Sequence, residues 1–238
     1  MAHSYGRNQP SNRRFDCIKS IRGDLMVIVS KIEYEDTKEY ILKKHYAQRM
    51  PSISYAFGVF LDDEMRGVCT FGKPASPSLC MGICGEEYKS SVYELNRLVV
   101  DEGLPKNTLS RFVAGCLKQL REEDLIVVSF ADEGKGHHGY IYQATNWLYT
   151  GKTKERTDKY SGKNKHSRHY DDSMNHLRKV RTSKHRYVYF TGENKKLFLS
   201  KLNYPIQDYP KGKNTNYKLG EKLKEKIINR RDGTEFWE

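Results

Sequence analysis

Between Val92 and Gly151 the chain reads VYELNRLVV, DEGLPKNTLSRFVAGCLKQL, LIVVSFADEGKGHHGYIYQATNW and LYTG, in which two buried-strand runs are each delivered into a turn and a helix. A β-branched apolar run ends at Val100, Pro105 marks the turn, and Leu109, Phe112, Val113, Cys116, Leu117 and Leu120 then recur at helical spacing. A second run, Leu125 to Phe130, feeds a turn carrying Gly134, Gly136 and Gly139 and a further helical stretch expected to reach Trp147. This unit commits the chain to an open α/β sheet. Such sheets bind ligands at the carboxyl ends of neighbouring strands, where helix N-terminal amides gather, so the site is expected between the two turns.

The flanking segments supply the rest of the sheet. Leu25 to Ile32 reads as a strand, and Asp36 to Arg49 as a helix with Asp36 or Thr37 near its cap and Pro51 beyond its end. Ser54 to Leu61 and Met65 to Phe71 alternate around Asp62, Asp63 and Glu64, which makes a hairpin. Gly72 to Ser91, rich in Gly, Pro and Ser, reads as a loop placed to cover a substrate. HRYVYF is a further strand, with a short helix from Lys195 to Leu202 behind it. The 238 residues fit one domain over 21–211, a flexible basic arm over 1–20 and a basic tail over 212–238. No apolar run has the length of a membrane span and MAHSYGRNQPSNRRF has no signal-peptide core, so a cytoplasmic protein without a membrane partner is expected. The five cysteines are scattered and odd in number, as reduced core thiols would be.

Charge is uneven along the chain. Through residue 151 there are 19 Lys and Arg against 19 Asp and Glu, whereas after it there are 23 against 11, so the whole excess of 12 lies in the last part. Basic and aromatic residues interleave there, at Lys152–Tyr170, Leu177–Phe190 and Asn203–Lys218. Lys and Arg release phosphate counterions, and Tyr160, Tyr170, Tyr187 and Tyr189 are placed to stack on bases. Lys179, Arg181, Lys184, His185 and Arg186 are the expected contacts to a polyanion, which only a family resemblance, not the charge, identifies as double-stranded DNA; the alternative is a solvated basic tail.

The element order resembles the GNAT acyltransferase superfamily. Five motifs in the same order resemble, more closely, the Mom DNA-modification family of Mu-like phages: KKHYAQRMPSISYAFG from Lys43, YELNRLVV from Tyr93, LPKNTLSRF from Leu104, SFADEGKGHHGYIYQATNWLYTG from Ser129 and KHRYVYF from Lys184. The resemblance spans roughly residues 25 to 211. It implies an α/β fold with a GNAT-like mixed, mostly antiparallel central sheet flanked by helices, extended by a basic C-terminal part. It also implies conversion of adenine N6 in DNA to a carbamoylmethyl form that shields phage DNA from restriction, with acetyl-coenzyme A or a related small donor. The turn GLPKNTLSRF departs from the superfamily's glycine-rich pyrophosphate turn, leaving Lys106, Asn107, Thr108 and Ser110 to hold a phosphate or simply to start a helix.

Arg97 lies in an otherwise apolar strand, where a charge is costly unless paired with Glu94 or Asp132 or meeting an anionic ligand. Asp132 follows VVSFA at the strand's carboxyl end, placed to accept the adenine amino proton, to orient the base, or to cap the next turn. Tyr142, with Tyr140 and Tyr149 as rivals, stands where the resemblance implies a proton donor, and His45 and Tyr46 join the set on the resemblance alone. His45, Asp132, His137 and His138 are candidate metal ligands of undiagnostic spacing, with iron a possible metal. His166 and His169, in a basic segment, point to nucleic acid or water rather than a metal. The carbamoylmethyl product joins N6 to a methylene carbon, which ordinary acyl transfer does not do, so the donor is open. Three classes stand side by side: a DNA adenine-modifying transferase, an acyltransferase acting on a protein, RNA or small-molecule amine, and a non-catalytic DNA-binding module.

Overall fold

A computed structural model describes residues 27–162, 171–213, 219–221 and 224–238. The arm over 1–20, Leu25, Cys17, His166, His169, Tyr170 and Lys218 lie outside the described residues. In chain order the elements are β1 (Val27–Lys31), α1 (Tyr34–Glu39), β2 (Tyr55–Leu61), β3 (Glu64–Gly72), α2 (Pro77–Cys84), β4 (Val92–Val100), α3 (Thr108–Gln119), β5 (Ile126–Asp132), α4 (Tyr140–Ala144) and β6 (Leu148–Lys152). They continue as β7 (Arg156–Lys159), β8 (Leu177–Arg181), β9 (Lys184–Phe190), α5 (Lys195–Ser200), β10 (Lys226–Asn229) and β11 (Glu235–Trp237).

Seven strands form the central sheet in the order β1-β2-β3-β4-β5-β9-β6, antiparallel throughout except for the parallel pair β4 and β5. The fold is therefore mixed α/β with a mostly antiparallel sheet flanked by helices. On one face α3 and α4 close a core of Phe57, Phe71, Phe112, Leu120, Trp147 and Tyr187. On the other, the turn Tyr40–Lys44 that continues α1 covers Val68 and Val99 through Tyr40 and Ile41, while α2 and α5 cover Ile126, Val128 and Val188 through Ile83 and Phe198. The expected hairpin is present, and Asp62 and Asp63 take its turn with φ of 49° and 63°, the left-handed pair a two-residue connection requires.

Several expectations are corrected. The first helix starts earlier, with the Glu33 amide donating to the Asp36 carboxylate at 3.1 Å, and it ends at His45 rather than Arg49. The stretch over 72–91 is no covering loop. Ser76 caps α2 by accepting the Leu79 amide, Pro77 sits in its first turn, and Ile83 and Cys84 are buried against the sheet. Trp147 lies past α4, in a core position reached through Asn146 at φ 60°. The expected tail over 212–238 instead contributes β10 and β11 to a second sheet, ordered β11-β10-β8-β7, because Ile227 is a buried apolar residue facing Lys179 across the ladder.

Candidate active site at the parting of two strands

The β4 and β5 ladder pairs only Val92, Tyr93 and Glu94 with Ile126, Val127 and Val128. Beyond Glu94 the strands part, and side chains take over where backbone bonds stop. Ser129 Oγ lies 2.9 Å from the Leu95 carbonyl and 2.7 Å from the Tyr142 hydroxyl. A regular strand puts residues three apart on opposite faces, but β4 carries one extra residue, Asn96, between the pairs Leu95–Phe71 and Arg97–Thr70. Asn96 is fixed by bonds from Thr70 Oγ1 and to the Ser52 carbonyl, both 2.7 Å. The bulge brings Glu94 and Arg97 to one face. Alternation along β5 puts Asp132 on the same face, since Ile126 and Val128 pack there while Val127 and Ala131 pack on the other.

The end of the first helix completes that face. Over Tyr40–Lys44 it widens to a π turn, in which the His45 amide bonds the Tyr40 carbonyl at 2.8 Å. Asp101 holds the widened turn, accepting from Tyr40 at 3.0 Å, Lys44 at 2.7 Å and Arg66 at 3.1 Å. Each added residue rotates the chain beyond it by about 100°, which turns His45 and Tyr46 toward the sheet. His45 is buried, stacks on Tyr46 at 4.3 Å and accepts the Ala47 amide on Nδ1 at 3.0 Å. Burial, reinforced by the Arg97 charge, pushes its pKa down to about 3, so the ring is neutral and carries its proton on Nε2. Arg97 donates to the carbonyls of Asn96 at 2.6 Å and Arg49 at 2.9 Å, while its buried Nε bonds no partner. No carboxylate lies within 4 Å of it among the described residues, so the expected ion pair with Glu94 or Asp132 does not form as a contact.

The two carboxylates of the cluster differ. Asp132 Oδ1 accepts the Gly134 amide at 3.1 Å and the Thr182 hydroxyl at 2.6 Å, and Oδ2 faces Lys184 at 3.6 Å. It caps the following turn and is already engaged. Glu94 has no hydrogen bond or ion-pair contact among the described residues; burial raises its pKa against the opposing pull of Lys184 and Arg97. Tyr142 packs on the opposite face of the sheet, where its hydroxyl meets Ser129 at the point where the strands part, and burial keeps that hydroxyl protonated well above the usual tyrosine range. Its ring packs at 5.1 Å from both Trp147 and Tyr187. Tyr46 senses the charges of Arg97, Asp132 and Glu94. Arg97, Asp132, Tyr142, His45 and Tyr46 therefore converge. Glu94, foreseen only as a pairing partner of Arg97, joins them, because the bulge that brings it to this face leaves no mark in the alternation.

The helix α3 begins at Asn107, which has φ 67°. Its turn borders a cavity of about 390 Å³ lined by Leu104, Asn107, Leu109, Ser110, Tyr140 and Ile141, with Lys106 outside. The Thr108 hydroxyl donates to the Pro105 carbonyl and that of Ser110 to the Asn107 carbonyl, so neither side-chain proton is spare. The Thr108 amide bonds the Pro105 carbonyl at 3.1 Å, so the amides of Leu109 and Ser110 remain the phosphate donors available there. Among the described residues no three His, Cys, Asp or Glu side chains converge as a metal requires, and His45 Nδ1 is taken by an amide. The expected nucleic-acid contacts are engaged within the protein to different degrees, Lys184 facing Asp132 at 3.6 Å. β9 is an interior strand; His185 is 3% exposed and bonds Tyr149 at 2.9 Å. Arg186 is held by Thr150 and lies 3.3 Å over the Tyr204 ring, Lys179 pairs with Glu225, and Arg181 pairs with Asp158 at 2.7 Å.

Comparison with known proteins places residues 26–211 on the model of the Mom protein family. Methylcarbamoylase mom of Escherichia phage Mu is 28% identical over 192 residues, covering 72% of this chain and 78% of that protein. Among solved structures, the ribosomal-protein-S18-alanine N-acetyltransferase of Escherichia coli aligns with 9% identity and a TM-score of 0.43, covering 70% of this chain and 95% of that one. A Bacillus subtilis acetyltransferase solved with CoA aligns with 13% identity and a TM-score of 0.38, covering 68% and 97%.

Proposed function

Because this chain belongs to the Mom protein family, we propose that it is a transferase that modifies adenine N6 in DNA to the carbamoylmethyl form. The observation that carries the reading is the gathering of His45, Tyr46, Glu94, Arg97 and Asp132 on one sheet face, with the Tyr142 hydroxyl behind them at Ser129, where β4 and β5 part. All six lie within the family-matched span, and the phage Mu relative is named for methylcarbamoyl transfer.

In this reading Glu94 accepts the N6 proton as the nitrogen becomes a nucleophile. It is suited to that task because no hydrogen bond holds its carboxylate and burial makes it a stronger base than an exposed one. Asp132, tied to Gly134, Thr182 and Lys184, positions the turn beside the base instead. The Arg97 Nε, buried and unbonded, offers a donor to a carbonyl or an anionic group of the incoming molecules. Tyr142 keeps a proton at its hydroxyl for release on the far side of the gap. A coenzyme A thioester, bound with its phosphates at the Leu109 and Ser110 amides of α3, would supply only an acyl carbon and a thiolate to leave; the carbamoyl nitrogen and the bond from N6 to a methylene carbon require a further donor, to which no step is assigned. No metal ligand set among the described residues fits this site, and no step is assigned to one.

Nucleoside mass spectrometry of plasmid DNA from expressing cells tests the proposal, with the expected result a new N6-substituted deoxyadenosine and resistance to adenine-sensitive restriction endonucleases. Unmodified DNA alongside an acylated protein or RNA would assign the cluster to another amine.

A further inference from the structure

The small sheet has two unlike faces. Strand alternation and register put Ile227, Lys179 and Phe236 on the inner face, where Ile227 is fully buried. The outer face carries Trp237 opposite Lys226, and Arg178 opposite both Ile228 and Lys159. Trp237 is 62% exposed. Arg178 has no carboxylate within 4 Å among the described residues and its Nε bonds no partner, while Arg230 and Arg231 stand exposed and likewise unpaired at the tip joining β10 to β11.

We propose that this outer face is a docking surface for duplex DNA, with Arg178, Arg230 and Arg231 on phosphates and Trp237 against the sugar and base edges of a groove. The inference rests on the DNA-modifying reading and supplies it with a grip of which only Arg178 lies among the family-matched residues, since β10 and β11 lie beyond residue 211. Charge selects the occupant. Unpaired cations around one aromatic fit a polyanion, whereas a second copy would set arginine against arginine across too little apolar area to hold a dimer. Position agrees with this. β8 runs through Thr182 and Ser183 directly into β9, and Thr182 is the residue that bonds Asp132, so a duplex on this face lies beside the cluster.

The chain has two tryptophans, of which Trp147 is fully buried, so emission from exposed indole reports Trp237 alone. Titrating the full chain with an unlabelled duplex should quench that emission, and the Trp237→Phe variant should lose the signal. The combined Arg178→Ala, Arg230→Ala and Arg231→Ala variant should bind the duplex at least ~10-fold more weakly, with its log–log salt slope smaller by about 2 to 3 units at ~0.9 per lost phosphate contact. An unchanged affinity and slope in a variant that melts like the parent overturns the surface, as does stronger quenching by single-stranded RNA or by self-association. If that variant also modifies plasmid adenine normally, the surface falls and the enzyme reading stands. If the parent binds DNA through these residues yet leaves adenine unmodified, the enzyme reading falls instead.

Discussion

One inserted residue, Asn96, gives the site its chemistry by bringing Glu94 and Arg97 to the same side of β4. Glu94→Gln, isosteric but unable to take a proton, should lower the rate of adenine modification at least ~100-fold while leaving duplex affinity unchanged, with Glu94→Asp intermediate. In single-turnover assays the parent's rate should rise with pH through the raised Glu94 pKa, and the Gln variant should lack that limb. His45 gives a second test. Below pH 6.5 the unfolded chain binds a proton that the native ring refuses until about pH 3, so the stability due to a neutral His45 is complete above 6.5 and lost as pH falls toward 3. Replacing it with Gln should flatten the pH dependence of denaturant stability in that window by up to about 1.4 kcal/mol per pH unit. Arg97 and Asp132 could be read in advance because a charge within an apolar strand, or at its carboxyl end, stands out by composition. Glu94 stands out in the same way, but its place on the face of Arg97 could not be read, because bulges are set by pairing with a neighbouring strand.

At the scale of elements, β9 shows why a basic, aromatic strand need not be a nucleic-acid surface. The pattern of HRYVYF identified a strand but not its neighbours, and between β5 and β6 both of its faces are covered. Arg186 there serves packing, with its guanidinium on Thr150 and over Tyr204. Arg186→Ala should therefore destabilise the fold by about 1–3 kcal/mol in chemical denaturation and leave the salt slope of DNA binding unchanged. α2 was hidden by the opposite effect. Its Gly, Pro and Ser content reads as loop, although Ser76 before Pro77 is a helix-start signal, and only the burial of Ile83 and Cys84 gives the segment a reason to be helical.

In the whole molecule, the reactive cluster and the proposed duplex surface lie on different sheets. The excess positive charge after residue 151 pointed to a polyanion, but Lys179, Arg181 and Lys226 pair with neighbours, and only Arg178, Arg230 and Arg231 of the cations without an ion pair belong to a sheet whose β10 and β11 are too short to announce themselves. Removing residues 224–238 strips β10 from β8 and leaves an unpaired edge, so the truncated protein should bind DNA weakly and aggregate more readily, measured by salt titration and light scattering. Its large sheet should keep the circular dichroism of the parent core.

The strand order has a consequence for how the protein is made. A ribosome releases β9 before β10, so the seven-stranded sheet and its reactive cluster are complete once residue 190 has emerged. The four-stranded sheet must wait for residue 237, because β10 is the strand that links β8 to β11. Each nascent chain thus assembles its reactive groups before the surface proposed to hold the duplex.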